Sequence, residues 1–301
     1  GWYRSRLMWA LNPIPNTWGD QIGAFAELVA AGRTILKTDA SWRAGLTPVT
    51  GNGIYHGEDY DARIQIADTH GVKVLPFDLA LLVPHEAPPV VEMAAVAAID
   101  TWTDGEATVY DFGQNCGAYA RIAVQGPAGA KVSVAFSEVL GPDRAFDNRN
   151  FRSARAEQHY TAKGEGIETY APLFTFFGFR YARVALAGGA KLVDIQQIPV
   201  TSVPVQAGGF TCGEPSVNRL VLNTIWSQRS NFIEVPTDCP QRDERLGWTG
   251  DAQVFLSSDA GSRGINLPEA TAVINYEMPL LHATYEQRIN RIHRIDSKAD
   301  S

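Results

Sequence analysis

Hydrophobic and polar positions alternate in short runs through the first two thirds of the chain. In KVSVAFSEV, Val132, Val134 and Phe136 fall on one side of an extended strand, and in FRYARVAL, Phe179, Tyr181 and Arg183 share a side in the same way. A period of two over about five to nine residues, bounded by Gly, Pro, Asn and Asp, predicts strands with one buried face. The texture holds from residue 1 to about 205, which predicts β-sandwich architecture. The Pro-rich VPHEAPPVVE at 83–92 reads as a linker that divides it in two.

At about residue 206 the period changes. Val217, Leu220, Val221, Ile225 and Trp226 fit a helical repeat, and Pro215 fits the first turn, where its missing N–H costs nothing. The spacing predicts a helix of about four or five turns that delivers the chain to Pro236. The next stretch, DCPQRDERLGWTGD, is too rich in Pro and Gly for a helix and reads as a structured loop, with a second helix restarting near Asp251.

That loop packs four carboxylates, two arginines and a tryptophan into fourteen residues. Opposite charges in such density ordinarily make a solvated, salt-bridged surface. Here they lie beside Trp248, whose face suits the C–H face of a sugar, and between glycines that permit a concave turn. Paired carboxylates are also the minimal apparatus of glycoside hydrolysis, one protonating the leaving oxygen while another activates water or attacks. Asp238, Asp243, Glu244 and Asp251 all qualify by chemistry, and spacing does not assign the roles.

The 301 residues carry a net charge of -7, which gives no basic footprint for nucleic acid or an anionic membrane. Cys116, Cys212 and Cys239 are widely spaced and form no CxxC, so neither a disulfide framework nor a zinc site is expected, no cofactor or metal is implied, and a reducing compartment is the plain reading. No apolar run approaches the roughly 18 residues that span a bilayer. The opening GWYRSRLMWALNPIP lacks a signal peptide's apolar core and an initiator Met, so the chain reads as a fragment or processed product whose address is not written at its start.

The loop DCPQRDERLGWTGD closely resembles the signature of bacterial α-L-rhamnosidases, inverting glycoside hydrolases whose catalytic domain is an (α/α)6 barrel. The resemblance implies rhamnose-containing oligosaccharides or glycosides as partners and Glu244 as the general acid. It places Asp238, Arg242, Asp243 and Asp251 at positions that bind or orient the sugar, and Trp248 in the pocket wall. A Glu among other carboxylates against an apolar wall is expected to keep its proton. GWYRSRL, TDASWR at 38–43 and IYHGEDYDAR at 54–63 resemble the end of the family's N-terminal sandwich. YDFGQNCGAYARI from Tyr110, SEVL at 137–140 and YAPLFTFFGFRYARV at 170–184 resemble its second sandwich. Tyr60, Asp61 and Arg63 could touch a ligand and Asp59, Asp61 and Asp111 could bind a cation by chemistry, but ordinary packing and solvated loop carboxylates are the plainer reading.

Beyond about residue 255 the resemblance changes. SDAGSRGINL at 258–267, AVINYEMP and EQRINRIHRI at 286–295 resemble the second RecA-like domain of Swi/Snf-type superfamily 2 helicases, with Gln287, Arg291 and Arg294 in its motif VI. By residues alone, Arg288, Arg291 and Arg294 make a solvated helix face. No GxxxxGK[ST] phosphate loop occurs, so ATPase activity is expected to be absent. The expected organisation is mainly β: residues 1–88 as the end of one β-sandwich, 89–205 as a second, concanavalin-like sandwich, 206–255 as the truncated start of the (α/α)6 barrel, and 256–301 as a short α/β helicase-like tail. The seam suggests a chimera. The family's general base lies far downstream of the loop, so the resemblance implies a chain without useful turnover. A non-catalytic sugar-binding or scaffold sandwich is the alternative, and a fragment of a DNA translocase is a third.

Overall fold

The computed structural model describes residues 21–248, apart from 67, 68, 86 and 207. The expected helix near Asp251, Asp251 itself and the helicase-like residues Gln287, Arg291 and Arg294 lie outside the described residues. The described part is mainly β: an 11-stranded sheet and a single α-helix, with short two-stranded pairs beside them.

The strands of the large sheet are β1 (Val49–Gly53), β2 (Gly57–Asp61), β3 (Val91–Glu92), β4 (Val96–Ala97), β5 (Asp100–Asp104), β6 (Ala107–Gln125), β7 (Lys131–Ser137), β8 (Glu157–Thr161), β9 (Ile167–Tyr170), β10 (Phe177–Ala187) and β11 (Lys191–Thr201). Their main order is β1-β2-β8-β7-β10-β6-β11-β3, with β5 and β9 pairing β6 and β4 pairing β11. The 19-residue β6 binds the sheet together, because its first half pairs β5 and β10 and its second half pairs β9 and β11. A register shift between Asp111 and Cys116 separates the halves. Asp111 braces that bulge by accepting two bonds from Arg180, both at 2.7 Å, and one from the Gly113 amide. Its burial raises its proton affinity, but these donors outweigh burial and hold its carboxyl below the usual range.

The alternation in the sequence becomes the core. Val132, Val134 and Phe136 are fully buried, and Phe136 stacks on Phe177 and meets Phe179 at a tilt, with both centroids 4.3 Å away. Sequence pattern does not reveal that β2 pairs in parallel with β8, so that the sheet includes residues on both sides of the expected linker. The sheet seals this junction through Glu58, which is fully buried and accepts from Tyr170 Oη at 3.0 Å, from Asn52 and from the Leu173 and Phe174 amides.

Helix α1 (Pro215–Asn231) has Pro215 at its first turn and Glu214 as its cap, accepting from the Ser216 amide at 3.1 Å. Its C-terminal half lies on β6 and β11. The expected apolar face is buried only in part: Val221, Ile225 and Trp226 are half-buried, whereas Leu220 is 63% exposed. A stripe of that kind is covered in full only by a second layer of helices. Polar residues bury the last turn instead, where Ser230 and Asn231 donate back to Trp226 and Ser227 carbonyls. The Ser202 amide donates to the Phe232 carbonyl at 2.8 Å and ties the helix end to the residue after β11. No helix among the described residues is long and apolar enough to cross a membrane.

Candidate active site

The carboxylate-rich segment leaves α1 through the two-residue strands Phe232–Ile233 and Val235–Pro236 and then folds back over the sheet. Two glycines make the close approach possible. A Cβ on Gly117 of β6 would stand 2.8 Å from the Ser230 carbonyl, and one on Gly178 of β10 would stand 2.6 Å from Pro240 Cγ. Any larger residue at either place pushes the helix end or the loop off the sheet.

Arg245 pins the loop down. It is 3% exposed, and its guanidinium donates to the carbonyls of Ile54 at 2.6 Å, Phe176 at 2.9 Å, Gln241 at 2.9 Å and Arg242 at 3.2 Å. The rings of Tyr55 and Phe176 lie close to it, and burial lowers its proton affinity to about 10. Tyr55 adds a bond from its hydroxyl to the Glu244 carbonyl at 2.7 Å. The loop is thus held by groups from distant parts of the chain.

The predicted site residues separate into two sets. Asp238, Arg242 and Glu244 come together: Arg242 donates to Asp238 Oδ2 at 3.1 Å and to Glu244 Oε2 at 3.0 Å, and Asp238 Oδ1 accepts from the Leu246 amide. Asp243 points the other way and is fully buried, paired with Arg152 Nε at 2.7 Å and bonded to the Ser153 amide and hydroxyl. At this geometry it fastens the loop to the sheet. Trp248 is 50% exposed at the loop's outer end.

One expectation is corrected. Neighbouring carboxylates do not decide the proton of Glu244. Burial alone would raise its proton affinity, but Arg152 at 2.8 Å and Arg242 at 3.0 Å both meet its Oε2 and bring the net value below the ordinary carboxylate range. In this arrangement Glu244 is ionised at neutral pH, which is the wrong state for a general acid.

Beside the loop lies a cleft of about 210 Å³ lined by Asn115, Glu138, Ser227, Asn231, Asp238 and Arg242, among others. Glu138 accepts from Asn115 at 2.9 Å and Asn150 at 3.1 Å, yet burial dominates and raises its proton affinity. Burial thus moves Glu138 towards the protonated form relative to an exposed glutamate. Asp238, Cys239 and Glu244 place one donor atom each within 4.8 Å. Burial pushes the Cys239 thiol up to about 12, however, and Glu244 is engaged by two guanidinia, so the trio is poorly suited to a cation.

Sequence reasoning missed Arg152, Ser153 and Glu138. Glu138 sits in the SEVL stretch, whose position against the loop no local pattern shows, and nothing in DNRNFRSAR marks Arg152. Cys116, Cys212 and Cys239 are all free thiols, the first and last of them buried.

Fold and site define a β-sheet protein that carries, beyond helix α1, a loop rich in carboxylates and arginines next to an aromatic. Comparison with known families names it. Residues 1–93 match the alpha-L-rhamnosidase N-terminal domain, 101–203 the bacterial alpha-L-rhamnosidase concanavalin-like domain, and 205–265 the bacterial alpha-L-rhamnosidase 6 hairpin glycosidase domain. To that family the chain's first 265 residues belong. An alpha-L-rhamnosidase of Streptomyces avermitilis is 36% identical over 282 residues, and one of Formosa agariphila 30% over 272; the matches cover 86% and 85% of this chain but 27% and 29% of those proteins. The chain therefore spans less than a third of the length of these relatives. The crystal structure of the Streptomyces avermitilis enzyme complexed with L-rhamnose superimposes with a TM-score of 0.74 at 30% identity, covering 92% of this chain and 30% of that one. The native enzyme of Aspergillus terreus gives 0.73 at 33% identity, covering 86% and 33%. Residues 236–296 also match a helicase conserved C-terminal domain, and a Bacillus subtilis ATP-dependent helicase is 43% identical over 51 residues, 17% of this chain and 9% of that protein. Residues 236–296 are thus similar to a second family over a stretch that overlaps the end of the rhamnosidase match.

Proposed function

We propose that the chain is the substrate-loop portion of an inverting α-L-rhamnosidase, binding a terminal α-L-rhamnosyl unit but not turning it over. The observation that carries this reading is the convergence of Asp238, Arg242 and Glu244 on one docked loop within residues that match the six-hairpin glycosidase domain. Asp238 and Arg242 present an acceptor and a donor fork to sugar hydroxyls and Trp248 supplies a face for the ring; Asp251, outside the described residues, joins them by the loop's resemblance alone. Glu244 occupies the general acid's place in the loop.

One feature argues against turnover in this arrangement. The acid must hold a proton, whereas the guanidinia of Arg152 and Arg242 lower the proton affinity of Glu244. Release of p-nitrophenol from p-nitrophenyl α-L-rhamnoside is expected to stay at background; clear release that Glu244→Gln abolishes would overturn this. The helicase-like residues Gln287, Arg291 and Arg294 have no phosphate loop to work with, and ATP hydrolysis is expected to be absent.

A further inference from the structure

The loop's carboxylates are held by a residue from outside the loop. Arg152 follows the short turn Arg149–Phe151, whose Phe151 is fully buried, and has φ +58°, a conformation that non-glycine residues avoid. That turn aims one guanidinium at two neighbouring carboxylates: Nε lies 2.7 Å from Asp243 Oδ1 and Nη2 2.8 Å from Glu244 Oε2. The next residue, Ser153, bonds Asp243 Oδ2 through both its amide and its hydroxyl. Two consecutive residues of the sheet domain thus hold two consecutive residues of the loop.

We infer that Arg152 is a positioning residue for the sugar site: by gripping Asp243 and Glu244 together, it fixes the Glu244 carboxylate so that its Oε1 faces the ligand. Both guanidinia, Arg152 and Arg242, meet Oε2, which leaves Oε1 as the oxygen that accepts from a sugar hydroxyl. A guanidinium can do this and a point charge cannot, because one planar group reaches both carboxylates, donating to Glu244 Oε2 through Nη2 while Nε lies at ion-pair distance from Asp243 Oδ1. The inference rests on the rhamnose-loop reading for its ligand, but not for its electrostatics. The charged and titratable groups around Glu244 are Arg152 from the sheet domain, and Arg242, Asp238, Asp243 and Cys239 from the loop, with Tyr55 and Arg245 against its backbone.

The test uses the full chain with ¹³C-carboxyl-labelled glutamate, titrated by NMR, together with L-rhamnose affinity. Wild type is expected to show Glu244 titrating below the ordinary glutamate range. In Arg152→Gln the titration moves upward and rhamnose affinity falls about tenfold, whereas Arg152→Lys restores most of the titration but less of the affinity. A folded Arg152→Gln chain with both quantities unchanged would overturn the inference. Should Arg152→Gln fail to fold, Arg152→Lys decides alone: a several-fold loss of rhamnose affinity with a low Glu244 titration supports the role, and unchanged affinity removes it. If wild type binds no rhamnose while the Glu244 titration still moves in Arg152→Gln, the sugar reading fails and the grip on the carboxylate stands.

Discussion

Replacing Arg245 with Met tests how the loop is held. The side chain is buried, and burial lowers its proton affinity, so placing its charge there carries a desolvation cost. Against that stand four bonds to the carbonyls of Ile54, Phe176, Gln241 and Arg242. Bonds from a charged donor contribute about 1.5–3 kcal/mol each, or about 6–12 kcal/mol together. Removing the guanidinium takes away these bonds and leaves four carbonyls without their donor. Arg245→Met is therefore expected to destabilise the docked loop by about 3 kcal/mol or more. Urea unfolding followed by circular dichroism gives the global part, and amide hydrogen exchange over 237–247 gives the local part. Arg245→Lys keeps the charge but not the fork, and is expected to suffer most of the same loss. A Met variant within about 0.5 kcal/mol of wild type, with loop amides still protected, would refute the reasoning.

The same geometry sets three further outcomes. Gly178→Ala places a methyl 2.6 Å from Pro240 Cγ and 2.9 Å from Gln241 Cβ, so the loop should shift and stability fall by about 1–3 kcal/mol, as measured by urea unfolding. Glu244 has a lowered proton affinity in the fold, so its stabilising contribution is complete above its ordinary value of 4.5 and is lost as pH falls through its lower folded value; exchange protection of the loop should persist below pH 4.5 in wild type and fail at a higher pH in Arg152→Gln. Glu138 has the opposite sign: its raised value means that its contribution is complete below pH 4.5 and lost as pH rises through the folded value, so the stability of Glu138→Gln relative to wild type should climb between pH 4.5 and 8.

The elements that rest on local pattern were legible. Alternation in KVSVAFSEV gives a strand whose Val132, Val134 and Phe136 are buried, and Pro215 begins the helix where a first-turn proline belongs. The loop's composition marked the region where the polar groups gather. The sequence hides which distant residue meets which. Arg152 and Glu244 are 92 positions apart, and Tyr55 and Glu244 are 189 apart. Counting nearby carboxylates suggested a Glu that keeps its proton, whereas the deciding charges are two guanidinia, one of them supplied by the sheet domain. The helical stripe was equally one-sided, since periodicity shows that Leu220 could face a core but not whether a neighbouring helix covers it.

If the docked loop is the sugar-binding element, rhamnose must perturb it first and most. The most direct measurement is a titration of the ¹⁵N-labelled full chain with L-rhamnose, following backbone amides and arginine Nε resonances. Saturable shifts confined to residues 238–248 and to Arg152 and Arg242, with a Kd on the order of millimolar, are predicted for a site of a few polar contacts and one open aromatic face. Shifts that fall instead on the sheet domain away from the loop, or a chain that shows no saturable response to the sugar, would contradict it.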